Sequence, residues 1–163
     1  MPEDRWVLSV DLGTSGCKAA LVSTRGRVVG WEFEAVATQL LPRGGAEQDP
    51  DDWWRALVAA SGRLIARDLV PRHGIVALCC STQGEGTVPV DVGGRPLMNA
   101  ILWMDARGAE HLKTITHGPI RVAGYHALRL WRWVRLTGGA PSRAGKDPAA
   151  HMLFVKCERP DVY

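Results

Sequence analysis

The sequence has 163 residues, 46% of them hydrophobic and 23% charged, and a formal net charge of +3. That length fits one domain with a real core. The charge is too small, and its carriers too scattered, to imply nucleic acid or an anionic membrane as partner. No apolar run approaches the roughly 20 residues needed to span a bilayer, and the opening MPEDRW lacks the segments of a signal peptide, so the cytoplasm is the expected setting.

Cys17, Cys79, Cys80 and Cys157 show no CxxC spacing and read as reduced core residues. The five histidines form no HExxH or other helical metal pair, so a transition-metal site is not expected.

Taken in order, the chain opens with two apolar runs, residues 6–10 and 17–22, around Asp11-Leu12-Gly13-Thr14-Ser15-Gly16. This pattern predicts strand, tight turn, strand. Gly13 and Gly16 free the backbone and let a charged ligand approach it. Successive N–H groups there can cup a phosphate, with the Thr14 and Ser15 hydroxyls as further donors. Asp11, at the strand's end, suits Mg²⁺, a hard cation that prefers oxygen ligands. From these residues alone, a plain hairpin with turn glycines and a capping Asp reads equally well.

Residues 28–37 predict a third strand and residues 40–46, with Pro42, Gly44 and Gly45, a loop. Asp49-Pro50-Asp51-Asp52 marks a helix start. Trp54, Leu57, Val58, Leu64 and Ile65 recur at helical spacing as its apolar face, and the helix is expected to reach about Asp68. Residues 75–80 predict a buried central strand. It delivers Gln83, Gly84 and Glu85 to a loop beyond its carboxyl end, where open α/β sheets collect ligands. Residues 87–91 and 96–97 suggest a hairpin, and residues 101–103 a short strand leading to Asp105 and Arg107. Further on, residues 111–116 and 125–136 read as helices, residues 137–145 as a loop, and Asp147-Pro148 as another helix start ending before Pro160.

VDLGTSGCKAALVSTRGRVVG, followed in order by EQDPDDWW, STQGEGTVPVD, ILWMDARG and GKDPAAHMLFVK, resembles the amino-terminal part of the FGGY carbohydrate kinases over nearly the whole chain. The resemblance implies an α/β, ribonuclease-H-like (actin-like ATPase) domain. Its sheet is mixed, has flanking helices and is incomplete at its C-terminal side. Residues 1–163 are then part of the first domain, without the second, nucleotide-binding domain. It also implies MgATP as phosphoryl donor and a pentulose, polyol or related sugar as acceptor. Asp11 would serve the metal, Gly13, Thr14, Ser15 and Gly16 the phosphates, and Gln83, Gly84, Glu85 and Asp105 the substrate.

Members of this family run to roughly three times this length and hold their catalytic base later in the chain. This portion is therefore expected to be weak or inactive alone, with a homodimer or a completing polypeptide as partner. A sheet cut off before its partners is also expected to expose apolar surface and self-associate. Three readings compete with the substrate roles. Asp105 and Arg107 suit a structural ion pair at a helix start, Glu85 suits a solvated loop, and Trp103 suits either a sugar platform or the core. Lys18 is placed to neutralise phosphate or simply to face solvent. A non-catalytic carbohydrate-binding remnant is the second function considered. A nuclease using Asp11, Glu85 and Asp105 is the third, disfavoured by the mild charge.

Overall fold

A computed structural model describes residues 5–163. The chain forms two compact units, one running through Thr38 and resuming over Gln48–Gly84, the other made of Gln39–Glu47 and Glu85–Tyr163.

The first unit is built on a mixed sheet. β1 (Trp6–Gly13), β2 (Gly16–Ser23) and β3 (Val28–Ala35) form an antiparallel meander, and β6 (Ile75–Thr82) lies parallel to β1, giving the order β3-β2-β1-β6. The expected first hairpin is present, with strands long enough to leave only Thr14 and Ser15 in the turn.

α1 (Pro50–Ala66) follows from its cap. The Asp49 carboxylate accepts from the Asp51 N–H at 2.9 Å and Pro50 occupies the first turn. The helix packs over β1, β2 and β3 through Ala56, Ala60 and Leu64, at four-residue spacing, and meets Trp6, Ala19 and Leu21. This corrects the expected apolar face in part. Leu64 is buried and Leu57 packs against the core as expected, but Trp54 is 67% and Val58 51% exposed, and the small Ala56 and Ala60 make the contact in their place.

The central-strand reading of residues 75–80 is also corrected. β6 is an edge strand with Val76, Leu78, Cys79 and Cys80 exposed. Its neighbour β1 lies under α1 but β6 itself extends past the helix, so an apolar sequence does not guarantee cover. Of the four cysteines, Cys17 alone is buried; burial, then the nearby Asp11 charge, pushes its thiol pKa up.

In the second unit, the expected loop at residues 40–46 is instead a hairpin of β4 (Gln39–Leu41) and β5 (Gly45–Gln48), whose last residue falls in the first unit. β7 (Ala100–Ile101) joins it to give the order β4-β5-β7. A tight turn held by Asp91, which accepts from the Gly93 and Arg95 N–H groups at 2.8 and 2.9 Å, brings Val90 opposite Pro96, as the hairpin reading expected.

α2 (Ala109–Thr116) packs on α4 (Pro148–Glu158), and Ile101, Phe154 and Val155 form the core beneath. The Asp147 cap accepts from the Ala150 N–H at 3.0 Å. The helix expected over residues 125–136 divides: β8 (Arg121–Val122) and β9 (Tyr125–His126) pair as a short hairpin, and α3 (Ala127–Thr137) follows with no buried residue. No helix among the described residues is long and apolar enough to cross a membrane.

His151, on α4, is fully buried. Its Nδ1 lies 3.1 Å from the Thr87 hydroxyl, and among the described residues its Nε2 has no hydrogen-bond partner. Burial holds its pKa below the ordinary 6.5. The unfolded chain therefore takes up a proton first, so the neutral ring's contribution to stability is complete above pH 6.5 and is lost as pH falls below it. Glu158 adds a second step. Hydrogen bonds from Arg43 and then His111 lower its pKa to about 2 from 4.5, so its contribution fades between those values. Melting temperatures measured from pH 8 to pH 3 are expected to fall in both ranges. The upper step is expected to vanish in His151→Gln and the lower one to shrink in Glu158→Gln.

Candidate functional site

The β1–β2 turn is held by a network of amides. The Val36 N–H donates to the Ser15 carbonyl at 3.1 Å. Gln48, fully buried, donates from Nε2 to the Thr14 carbonyl at 2.7 Å and to the Thr38 hydroxyl at 3.0 Å. Its Oε1 accepts from the Trp53 indole at 2.8 Å and from Gln83 Nε2 at 3.1 Å. Gln83 in turn accepts from the Thr14 hydroxyl at 3.1 Å, and its N–H donates to the Leu12 carbonyl at 2.8 Å. Both side-chain amides, of Gln48 and Gln83, have partners at their oxygen and their nitrogen, so the turn is fixed before any ligand arrives. Gln48 and Trp53 were not singled out from the sequence. Their signal was present in EQDPDDWW, where a polar residue stands immediately before a helix cap.

Gly16 and Gly13 have different reasons to be glycine. At Gly16, φ is +152°, and a Cβ would be driven into the Glu34 carbonyl and lie 2.9 Å from Ala35 Cα, so the β2–β3 pairing alone demands glycine. At Gly13 a Cβ would meet only the Gly16 carbonyl, at 3.6 Å, and Asp11 Oδ2, at 4.0 Å. Nothing in the fold forbids a methyl group there.

Asp11 stands near the end of β1 with its side chain 47% exposed. Oδ1 accepts from the Ser81 hydroxyl at 2.7 Å, and Oδ2 lies 3.5 Å from Lys18 Nζ, its cross-strand partner on β2. The lysine is 59% exposed, so this is a surface pair of small energetic weight that a cation can displace. The carboxylate is neither buried nor fully engaged, and an oxygen donor beside a fixed turn fits a hydrated Mg²⁺.

In the second unit Glu85 sits at φ +59°, a left-handed conformation unusual for a residue with a side chain. It lines an open cleft of about 360 Å³ with Trp133, Ser142, Lys146 and Asp147. Trp103 is 42% exposed.

Asp105 is fully buried. Its Oδ2 accepts from the Ala46 N–H at 2.9 Å and from Arg107 Nη2 at 2.6 Å, and its Oδ1 from the Arg107 N–H at 2.9 Å. Arg107 also reaches Glu47 at 2.6 Å and lies over the Phe154 ring at 4.3 Å. Burial alone would raise the Asp105 pKa, but the hydrogen bonds from Arg107 and Ala46 outweigh it and hold the carboxyl below its ordinary value. The Asp–Arg structural pair considered from the sequence is present, and it leaves the Asp105 carboxylate fully enclosed.

The mixed sheet with its flanking helices is a ribonuclease-H-like, actin-like fold. It is shared with gluconate kinase from Lactobacillus acidophilus, which superposes on 98% of this chain and 30% of its own with a TM-score of 0.78 at 19% identity. Residues 6–130 match the FGGY family of carbohydrate kinases, N-terminal domain, and the chain belongs to that family. It is 35% identical over 116 residues to a glycerol kinase of Thermococcus onnurineus, covering 69% of this chain and 23% of that protein. It is 36% identical over 108 residues to a xylulose kinase of Klebsiella pneumoniae, covering 66% and 22%. The chain thus spans under a quarter of the curated relatives it matches.

Proposed function

We propose that this chain is the amino-terminal, phosphate-binding part of a cytoplasmic carbohydrate kinase. The whole protein would transfer the γ-phosphoryl of MgATP to a hydroxyl of a pentulose, polyol or related small sugar. The chain alone would be weak or inactive. The observation that carries this reading is Asp11, half exposed near the end of β1 beside a turn held by Gln48, Gln83 and Val36. Phosphoryl transfer asks the protein mainly to position charge. Mg²⁺ supplies neutralisation of the charge on the phosphate oxygens.

This chain's residues do the rest of the holding. Asp11 takes the cation in place of Lys18, and the released ammonium remains a counter-charge for phosphate. The amides of Gly13, Thr14, Ser15 and Gly16 face the phosphates, and bare Gly13 allows their approach. Gln83 acts through Thr14, holding the turn. Gly84 and Glu85 meet the acceptor, Glu85 accepting from its hydroxyls. Asp105 enters as a positioning residue that fixes the strand and turn around Ala46.

Calorimetry with sugars and polyols, with and without MgATP, tests this reading. A Mg²⁺-dependent nucleotide heat that disappears in Asp11→Asn is expected. Sugar heats indifferent to nucleotide would instead favour a carbohydrate-binding remnant.

A further inference from the structure

The basic residues, expected to be scattered, are unevenly placed. Residues 111–146 contain seven Lys and Arg and no Asp or Glu, while the other 127 residues carry 13 basic and 17 acidic side chains. Within this basic segment α3 reads ALRLWRWVRLT and buries none of its residues. Leu128 is 73%, Trp131 61% and Leu136 74% exposed, and on the adjoining hairpin Ile120 and Val122 are exposed too. Arg129, Arg132 and Arg135 alternate with these apolar residues along the helix, and Arg135 lies over the Trp131 ring at 5.4 Å. Beside it an open, largely apolar groove of about 460 Å³ runs between α2 and α3, lined by Ile115, Trp133 and Leu136 with Arg129 and Arg132.

We propose that this face docks on an anionic lipid surface. Trp and Leu side chains suit the boundary between headgroups and acyl chains, and arginine stems lie along apolar surface while their heads reach phosphate. Each basic residue near an anionic leaflet adds to the attraction, and no acid within the segment opposes it. The same charge argues against a second copy on this face, since two copies of an acid-free basic segment repel. Nucleic acid fits less well, because single strands are held on several successive stacked rings, and on this face Trp131 is the one strongly exposed ring beside the aliphatic Leu128, Val134, Leu136, Ile120 and Val122. The attachment goes beyond phosphoryl transfer and does not depend on it.

Cosedimentation of the 163-residue chain with phosphatidylcholine vesicles containing or lacking 30% phosphatidylglycerol tests the proposal. Binding to the anionic vesicles alone is expected, with a blue shift of tryptophan emission. Arg132→Glu with Arg135→Glu, both at exposed positions, is expected to lower partitioning by about 100-fold. Leu128→Ser with Trp131→Ser is expected to lower it by about tenfold or more. Circular dichroism melts establish that both variants remain folded. Equal binding to neutral vesicles, no binding to either, or unchanged binding by folded variants would each overturn it. So would a dimer in sedimentation that the α3 variants dissolve.

Discussion

Arg107→Ala is expected to lower the free energy of unfolding by about 3–5 kcal/mol, the cost of removing one partner from a buried ion pair. Three groups lose their satisfaction at once. Asp105 is fully enclosed and keeps only backbone donors, Glu47 is 8% exposed, and the Phe154 face loses the cation above it. For a chain of this size that corresponds to a drop in melting temperature of about 10 °C. Arg107→Lys is expected to recover little, because one ammonium cannot reproduce the fork that spans Asp105 and Glu47. Asp105→Asn is expected to cost less, since the amide oxygen still accepts from the Ala46 N–H. Thermal and urea melts of the three variants give the ranking, and a loss under 1 kcal/mol in Arg107→Ala would contradict a structural role for this cluster.

Gly16→Ala is the second large effect, on the order of 3 kcal/mol, combining an unfavourable backbone conformation with an overpacked contact. A methyl group there must push β2 away from β3 at Glu34 and Ala35. Gly13→Ala, three residues away in the same turn, is expected to cost less than about 1 kcal/mol, because its methyl meets only ordinary van der Waals neighbours. If phosphate approaches the backbone at Gly13, the methyl blocks it all the same. The pair therefore separates glycine kept for the fold from glycine kept for a ligand, a distinction that the sequence DLGTSG does not carry. Equal destabilisation in the two variants would contradict it.

What was legible in the sequence followed from local rules. The first hairpin, the Asp-Pro starts of α1 and α4 and the Asp91 turn are each decided by a few neighbouring residues, and all are present. What failed depended on distant neighbours. The apolar run of β6 predicted burial, yet its exposure is set by where α1 lies on the sheet. Trp54 and Val58 outrank Ala56 and Ala60 in hydrophobicity, but the alanines sit where the helix meets β2. Asp105 reads as a substrate carboxylate in motif comparison and is a buried ion-pair member in space. Net charge hid its own distribution, since an acidic remainder masks the basic segment around α3.

The central claim, that Asp11 and the turn after it hold magnesium-bound phosphate, is tested most directly by amide chemical shifts. With ¹⁵N-labelled protein and MgATP, the amides of Gly13, Thr14, Ser15 and Gly16 are expected to move together. The shifts are expected to disappear when EDTA removes the cation, in Asp11→Asn and in folded Gly13→Ala. Amides that stay fixed on titration, or that move equally in Gly13→Ala, would contradict the account.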